Sequence, residues 1–193
     1  MTNRLLLLAL LLSITCPAAW AQGPAGAEFQ ANSFTNIHQY RPAVASHANG
    51  NFVVVWQSYL QDGASYGVFG QRFTAAGLPL GSEFQVNSYT PSFQSFPAVA
   101  STANGNIVAV WQSYLQDGSS YGVFGRRFNA SGVPQASEFQ ANTYAAGNQL
   151  FPAVGSDANG NFVVVWESAG QDGSGFGIFG QRYGDLIFRD GFE

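Results

Sequence analysis

Glu28-Phe29-Gln30 returns as Glu83-Phe84-Gln85 and again as Glu138-Phe139-Gln140, 55 residues further on each time. Pro42, Pro97 and Pro152 keep that step. So do Trp56, Trp111 and Trp166, and the pairs Asp62-Gly63, Asp117-Gly118 and Asp172-Gly173. No insertion breaks the register, which divides the chain into units 26–80, 81–135 and 136–190. A fixed period of this length restricts the fold sharply. Each unit must be one small supersecondary element that buries its apolar face against its neighbours.

The pattern within a unit predicts four short strands. In the first, Glu28 to Ser33 alternates polar and apolar residues. Pro42 to Ser46 reads as a second strand, with proline at its first position, where no ladder donor is needed. Asn49-Gly50 then signals a two-residue hairpin turn. Asn51 to Ser58 carries Phe52, Val54 and Trp56 on one face and Val53 and Val55 on the other. Tyr66 to Phe73 is the fourth strand. A strand apolar on both faces is buried on both faces. No window has a helical period. Such units predict an all-β chain of three four-stranded antiparallel units, stacked like propeller blades; a β-trefoil or β-prism is the alternative. A blade cut from the proline to the next unit's Glu-Phe-Gln strand leaves the last unit without an outer strand, and the segment around Phe29 is free to supply it. Three blades are fewer than the usual four to eight. The outer units keep the apolar Phe52, Val54, Trp56 and Phe162, Val164, Trp166 in place of polar caps, so a homo-dimer closing a ring of six units is expected.

The run Phe52-Val53-Val54-Val55-Trp56-Gln57-Ser58, then Gln61-Asp62-Gly63 through Arg72-Phe73, then Gly81-Ser82-Glu83-Phe84-Gln85-Val86-Asn87 resembles a known repeat. It is similar to the tandem V-V-W-Q-S, Q-D-G-S-G-Y-G-V-F-x-Q-R-F and G-x-E-F-x-V-N repeats of large secreted or surface proteins of bacteria. The resemblance implies a propeller-like extracellular repeat protein without assigned activity. The C-terminal Ile187-Phe188-Arg189-Asp190-Gly191-Phe192-Glu193 resembles short I-F-x-D-G-F-E tails of secreted proteins, which implies a sorting or processing signal; a last strand packed on the final unit is the alternative.

The N-terminus reads as an address. One arginine precedes the apolar run Leu5 to Ile14, and Ala19-Trp20-Ala21 follows as a small-residue cleavage site. This is the order of a secretory signal peptide over residues 1–21, and its apolar run is too short to span a bilayer. Cys16 leaves with it, so the mature chain is cysteine-free and is held together by its core. Secreted, extracellular or periplasmic, and cell-surface locations all follow from such a signal. The chain has no lysine, a formal net charge of −4, 9% charged and 15% aromatic residues. An acidic surface poor in cations excludes nucleic acid as a partner.

The repeat also sorts candidate functional residues, because residues present in all units are structural and residues that break the pattern are freer. Asp62, Asp117 and Asp172 suit Asp-Gly turns; as oxygen ligands they are the calcium candidates, though one carboxylate per loop is few for that ion. No other cofactor is indicated. Arg72, Arg127 and Arg182 are expected to pair across strands with Glu28, Glu83 and Glu138. The tryptophans read as core. Tyr59 and Tyr114, expected in loops, are the candidate contacts for a glycan or protein ligand, and Ala169 takes their place in the third unit. His38, His47, Arg126 and Glu167 break the pattern. Glu167 and Asp172 form the one carboxylate pair a glycoside-hydrolase-like reading could use. No nucleophile elbow, zinc-binding helix motif or phosphate loop occurs. The reading is a secreted, non-catalytic repeat protein active in extracellular binding or assembly; a glycoside-hydrolase-like enzyme and a purely structural repeat are the alternatives.

Overall fold

A computed structural model describes residues 23–184; the expected signal peptide and the C-terminal tail motif lie outside the described residues. Eleven strands and no helix make up those residues, so none of them forms a helix long and apolar enough to cross a membrane. The strands are β1 (Gln39–Ser46), β2 (Phe52–Tyr59), β3 (Tyr66–Phe73), β4 (Phe84–Gln85), β5 (Gln94–Ser101), β6 (Ile107–Tyr114), β7 (Tyr121–Phe128), β8 (Phe139–Gln140), β9 (Gln149–Ser156), β10 (Phe162–Ala169) and β11 (Phe176–Tyr183). They form three antiparallel sheets in the orders β1-β2-β3-β4, β5-β6-β7-β8 and β9-β10-β11.

The first two sheets therefore run across a unit boundary, and the third lies within its own unit. The Glu-Phe-Gln segment of one unit is the outer strand of the sheet before it: Phe84 pairs with Gly70 and Gln85 with Phe69, and Phe139 with Gly125 and Gln140 with Phe124. Glycine at 70 and 125 leaves room for the ring that crosses it, since Phe84 Cζ lies 3.1 Å from where a Gly70 Cβ would stand. The first such segment behaves differently from expectation. Residues 28–33 form no strand, because among the described residues no sheet edge lies beside them to supply a ladder. The Phe29 ring still rests on Phe52 and Phe73 of its own sheet, at 5.8 and 5.1 Å, as Phe139 rests on Phe162 and Tyr183.

Two local expectations are also corrected. The second strand starts three residues before the proline, and Pro42 sits in a bulge where the β1–β2 register shifts between Tyr40 and Ala43. Arg41 takes a left-handed φ of 54° there, and Phe96 and Phe151 do the same at 53° and 51°. A bulge is the other place where a missing proline N–H costs nothing. The hairpin after β1 is longer than two residues. His47 N–H donates to Asn51 O, Gly50 N–H donates to His47 O, and Gly50 alone is left-handed at φ 83°. That is a turn within a five-residue loop, which does not need two left-handed residues.

The core consists of two inter-sheet layers. Val53, Val55 and Val68 of the first sheet meet Val99, Ile107, Trp111 and Phe128 of the second. Val108, Val110 and Val123 of the second meet Phe162, Val164 and Trp166 of the third. First strands pack on first strands, β1 on β5 and β5 on β9, like the inner edges of propeller blades. The sheets stack in a row and do not close in the three-fold manner of a trefoil or prism. The tryptophans are core residues, 3% exposed at Trp56, 0% at Trp111 and 5% at Trp166.

Candidate functional site

Tyr59 and Tyr114 are the last residues of β2 and β6, not loop residues. Tyr59 stands opposite Tyr66 in the ladder and Tyr114 opposite Tyr121, each pair with ring centroids 4.9 Å apart. Stacking of the sheets then joins the pairs. Phe93 lies 6.2 Å from Tyr66 and 6.3 Å from Tyr114, and Tyr40 lies 6.4 Å from Tyr66. His38 extends the row by stacking on Tyr40 at 5.4 Å. The result is a line of rings across one end of the first two sheets, with Tyr40 and Phe93 exposed and the tyrosines at 59, 66, 114 and 121 partly so. In the third unit the row stops. Ala169 replaces the Tyr59 and Tyr114 position, Asn148 the His38 and Phe93 position, and Leu150 the Tyr40 position.

Such a row offers flat apolar faces with hydroxyl groups at their edges, a surface suited to stacking and to hydrogen bonding at once. Burial, and after it the Tyr114 ring beside it, hold the Tyr121 hydroxyl above the usual tyrosine range, so it stays a neutral donor. Tyr40, Phe93 and the pair Tyr66 and Tyr121 occupy three different columns of the repeat, and the rings of the two sheets meet only where stacking sets Phe93 beside Tyr66. An alignment of the units shows each as aromatic but not their meeting.

The recurring acids are structural ties. Asp62 Oδ1 accepts from Ala64 N–H at 3.2 Å and Oδ2 from Gln85 Nε2 at 3.2 Å. Asp117 repeats this with Ser119 N–H and Gln140 Nε2, at 3.1 and 3.2 Å. Asp172 accepts from Ser174 N–H at 3.1 Å. Among the described residues no three His, Cys, Asp or Glu side chains gather as metal ligands would. The expected Arg–Glu cross-strand pairs are not formed. Glu83 binds Ser33 N–H at 2.6 Å, Ser33 Oγ at 2.8 Å and Gln61 Nε2. Arg72 Nη1 reaches the Ala130 carbonyl at 2.9 Å in the next unit. The reason is register: Arg72 stands opposite Val53, and the outer strand ends short of it.

The pattern breakers fall into place on the sheets. Arg126 donates to Ala136 O at 3.3 Å, as Gln71 donates to Gly81 O at 3.2 Å. His47 Nδ1 bonds Ser101 Oγ of the second sheet. Glu167 lies on β10 opposite Ile178, while Asp172 is tied into the following turn. Gln57 and Gln112, the counterparts of Glu167, each reach the next sheet, where Oε1 accepts from Phe96 N–H and from Phe151 N–H, both at 3.1 Å.

No protein-family model matches this chain. No curated protein matches it in sequence. Among solved structures, a protein of unknown function from Dyadobacter fermentans is similar at a TM-score of 0.53 and 13% identity, over 75% of this chain and 37% of that one. An endo-arabinase from Bacteroides thetaiotaomicron is similar at a TM-score of 0.47 and 13% identity, over 75% of this chain and 56% of that one. The chain thus spans less than two thirds of either. The first likeness supports the fold alone, repeated antiparallel β-sheets.

Proposed function

We propose that the chain is exported and acts outside the cytoplasm as a non-catalytic binding module, with the aromatic row as its contact surface and a glycan as the ligand. One observation carries this reading. Tyr40, Tyr66, Tyr59, Phe93, Tyr114 and Tyr121 form a continuous ring row on two sheets, beyond what either sheet needs for its own core. Tyrosine rings give amphipathic contact area at little cost in side-chain entropy. Extracellular use agrees with the apolar N-terminal run and the Ala19-Trp20-Ala21 site. Intact-mass measurement on exported protein is expected to find Gln22 as the first residue; a chain that still carries Cys16 would contradict export by this signal.

The ligand test is a glycan array, followed by titration of the best binder. Tyr59→Ala and Tyr114→Ala are each expected to weaken binding roughly tenfold while the melting temperature moves little. Unchanged affinity in both variants, or no glycan bound at all, would contradict the reading.

A further inference from the structure

The two ends of the stack are the separated halves of an interface that the molecule builds twice inside itself. On the third sheet, Ile178 is 74% exposed and Val163 and Val165 stand beside it, also exposed. Their counterparts Val68, Val53 and Val55 are sealed by the second sheet, and Val123, Val108 and Val110 by the third. On the first sheet Val44 is exposed, whereas its counterpart Val99 is core.

The polar contacts of that interface are equally incomplete at the ends. Val68 N–H donates to Asn87 Oδ1 and Val123 N–H to Asn142 Oδ1, both at 2.7 Å. Val86 N–H and Ala141 N–H return the bond to Val68 O and Val123 O. In the third sheet these donor and acceptor positions fall on Ile178, and the matching partners fall on Ala31 and Asn32. Asn32 is already held as Asn87 and Asn142 are: its Nδ2 donates to Phe34 O and to Gln39 Oε1, at 2.8 and 3.3 Å. The segment is therefore set for a strand it does not meet among the described residues.

The charge pattern names the occupant. At both internal interfaces a neutral Gln side chain accepts from the bulged residue of the next sheet, Gln57 from Phe96 and Gln112 from Phe151. At the ends the same two columns hold Glu167 and Arg41, an acid on one end and a base on the other. Arg41 and Glu167 are complementary only if one copy's first sheet meets another copy's third sheet.

We propose that two copies of this chain assemble head to tail, with residues 28–32 of each copy adding the fourth strand to β11 of the other. Phe29 then crosses Gly180 as Phe84 crosses Gly70, and Gln30 reaches Asp172 as Gln85 reaches Asp62. Arg41 N–H and guanidinium meet the Glu167 carboxylate. Two such contacts related by a two-fold axis close a ring of six sheets, inside the range of four to eight that closed propellers use. Assembly is independent of ligand binding by the aromatic row, so either can fail alone.

The test is the molar mass of the full chain recovered after export, by sedimentation. Wild type is expected at twice the chain mass. Glu167→Arg and Arg41→Glu each place like charges in contact and are expected to give monomer; the two together restore the dimer. Ala31→Cys with Ile178→Cys, in a chain without Cys16, is expected to give a disulfide between copies. A wild-type monomer at high concentration, charge variants that stay dimeric, a double variant that stays monomeric, or a disulfide formed only within one chain would each overturn the proposal.

Discussion

Val110 and Val165 hold the same column of the repeat, one sheet apart. Val110 is 0% exposed and Val165 38%. Their strands carry nearly the same residues and the same pairing, Val110 opposite Gly125 and Val165 opposite Gly180. The difference is the neighbour: the third sheet covers Val110, and no described residue covers Val165. A repeat dictates what each unit offers, and stacking decides which offers are taken up. The second sheet is thus the reference state, and the first and third each show what one missing neighbour removes.

Some residues are expected not to follow that comparison. Trp56, Trp111 and Trp166 are all buried, including the two in the end sheets. Alanine at each is expected to cost about 3–5 kcal/mol in denaturant unfolding. A much smaller loss at Trp56 or Trp166 would break the claim that the end sheets bury their tryptophans as the middle sheet does.

The valines should separate. Val110→Ala is expected to cost roughly 1.5–3 kcal/mol, because a fully buried side chain is truncated. Val165→Ala in dilute protein is expected within about 0.5 kcal/mol of wild type, as at other surface sites. Equal losses would mean that the third sheet is covered after all.

The smallest effect concerns His47 at the seam of the first two sheets. Burial first, and then the Arg72 guanidinium, push its imidazole below the usual pKa, and Ser101 Oγ shares its Nδ1. The neutral form is therefore favoured in the folded chain. The unfolded chain takes up a proton first, near pH 6.5, so stability is full above that and falls as pH drops through it. His47 is partly exposed, so the decline is small. His47→Thr, which copies Thr102 from the next unit, is expected to flatten the melting temperature between pH 7.5 and pH 5, about the imidazole range. An unchanged slope would contradict the burial.

Much of this architecture was legible in the residues. The 55-residue step, the double-sided strand Phe52 to Ser58 and the core tryptophans follow from side-chain period alone. The sharing of a Glu-Phe-Gln strand between adjacent units follows from cutting the blade at the proline, and the ladders at Phe84 and Phe139 agree with that cut. Other features depended on partners that a single unit does not contain. Residues 28–33 have the composition of a strand and no ladder to join. Glu83 was expected to seek an arginine, but the peptide N–H groups of Ser33 and Phe34 lie nearer. Tyr59 and Tyr114 stand out in the sequence, whereas Tyr66 and Tyr121 join them through the strand ladder and Phe93 links the two pairs only when the sheets stack. Glu167 stood out as a pattern breaker. Arg41 breaks its column as well, but the partner proposed for it lies at the opposite end of the stack.

Amide exchange at Ile178, compared with Val68 and Val123, tests the central claim most directly. The claim is that the third sheet presents an unused copy of an interface already formed twice. Val68 and Val123 N–H groups are bonded to Asn87 and Asn142. Both amides are expected to exchange slowly at every protein concentration. Ile178 is expected to exchange fast in dilute protein and to become protected as concentration rises. Ile178 protection equal to that of Val123 at the lowest concentration would show that the chain covers its own third sheet, and would contradict the account.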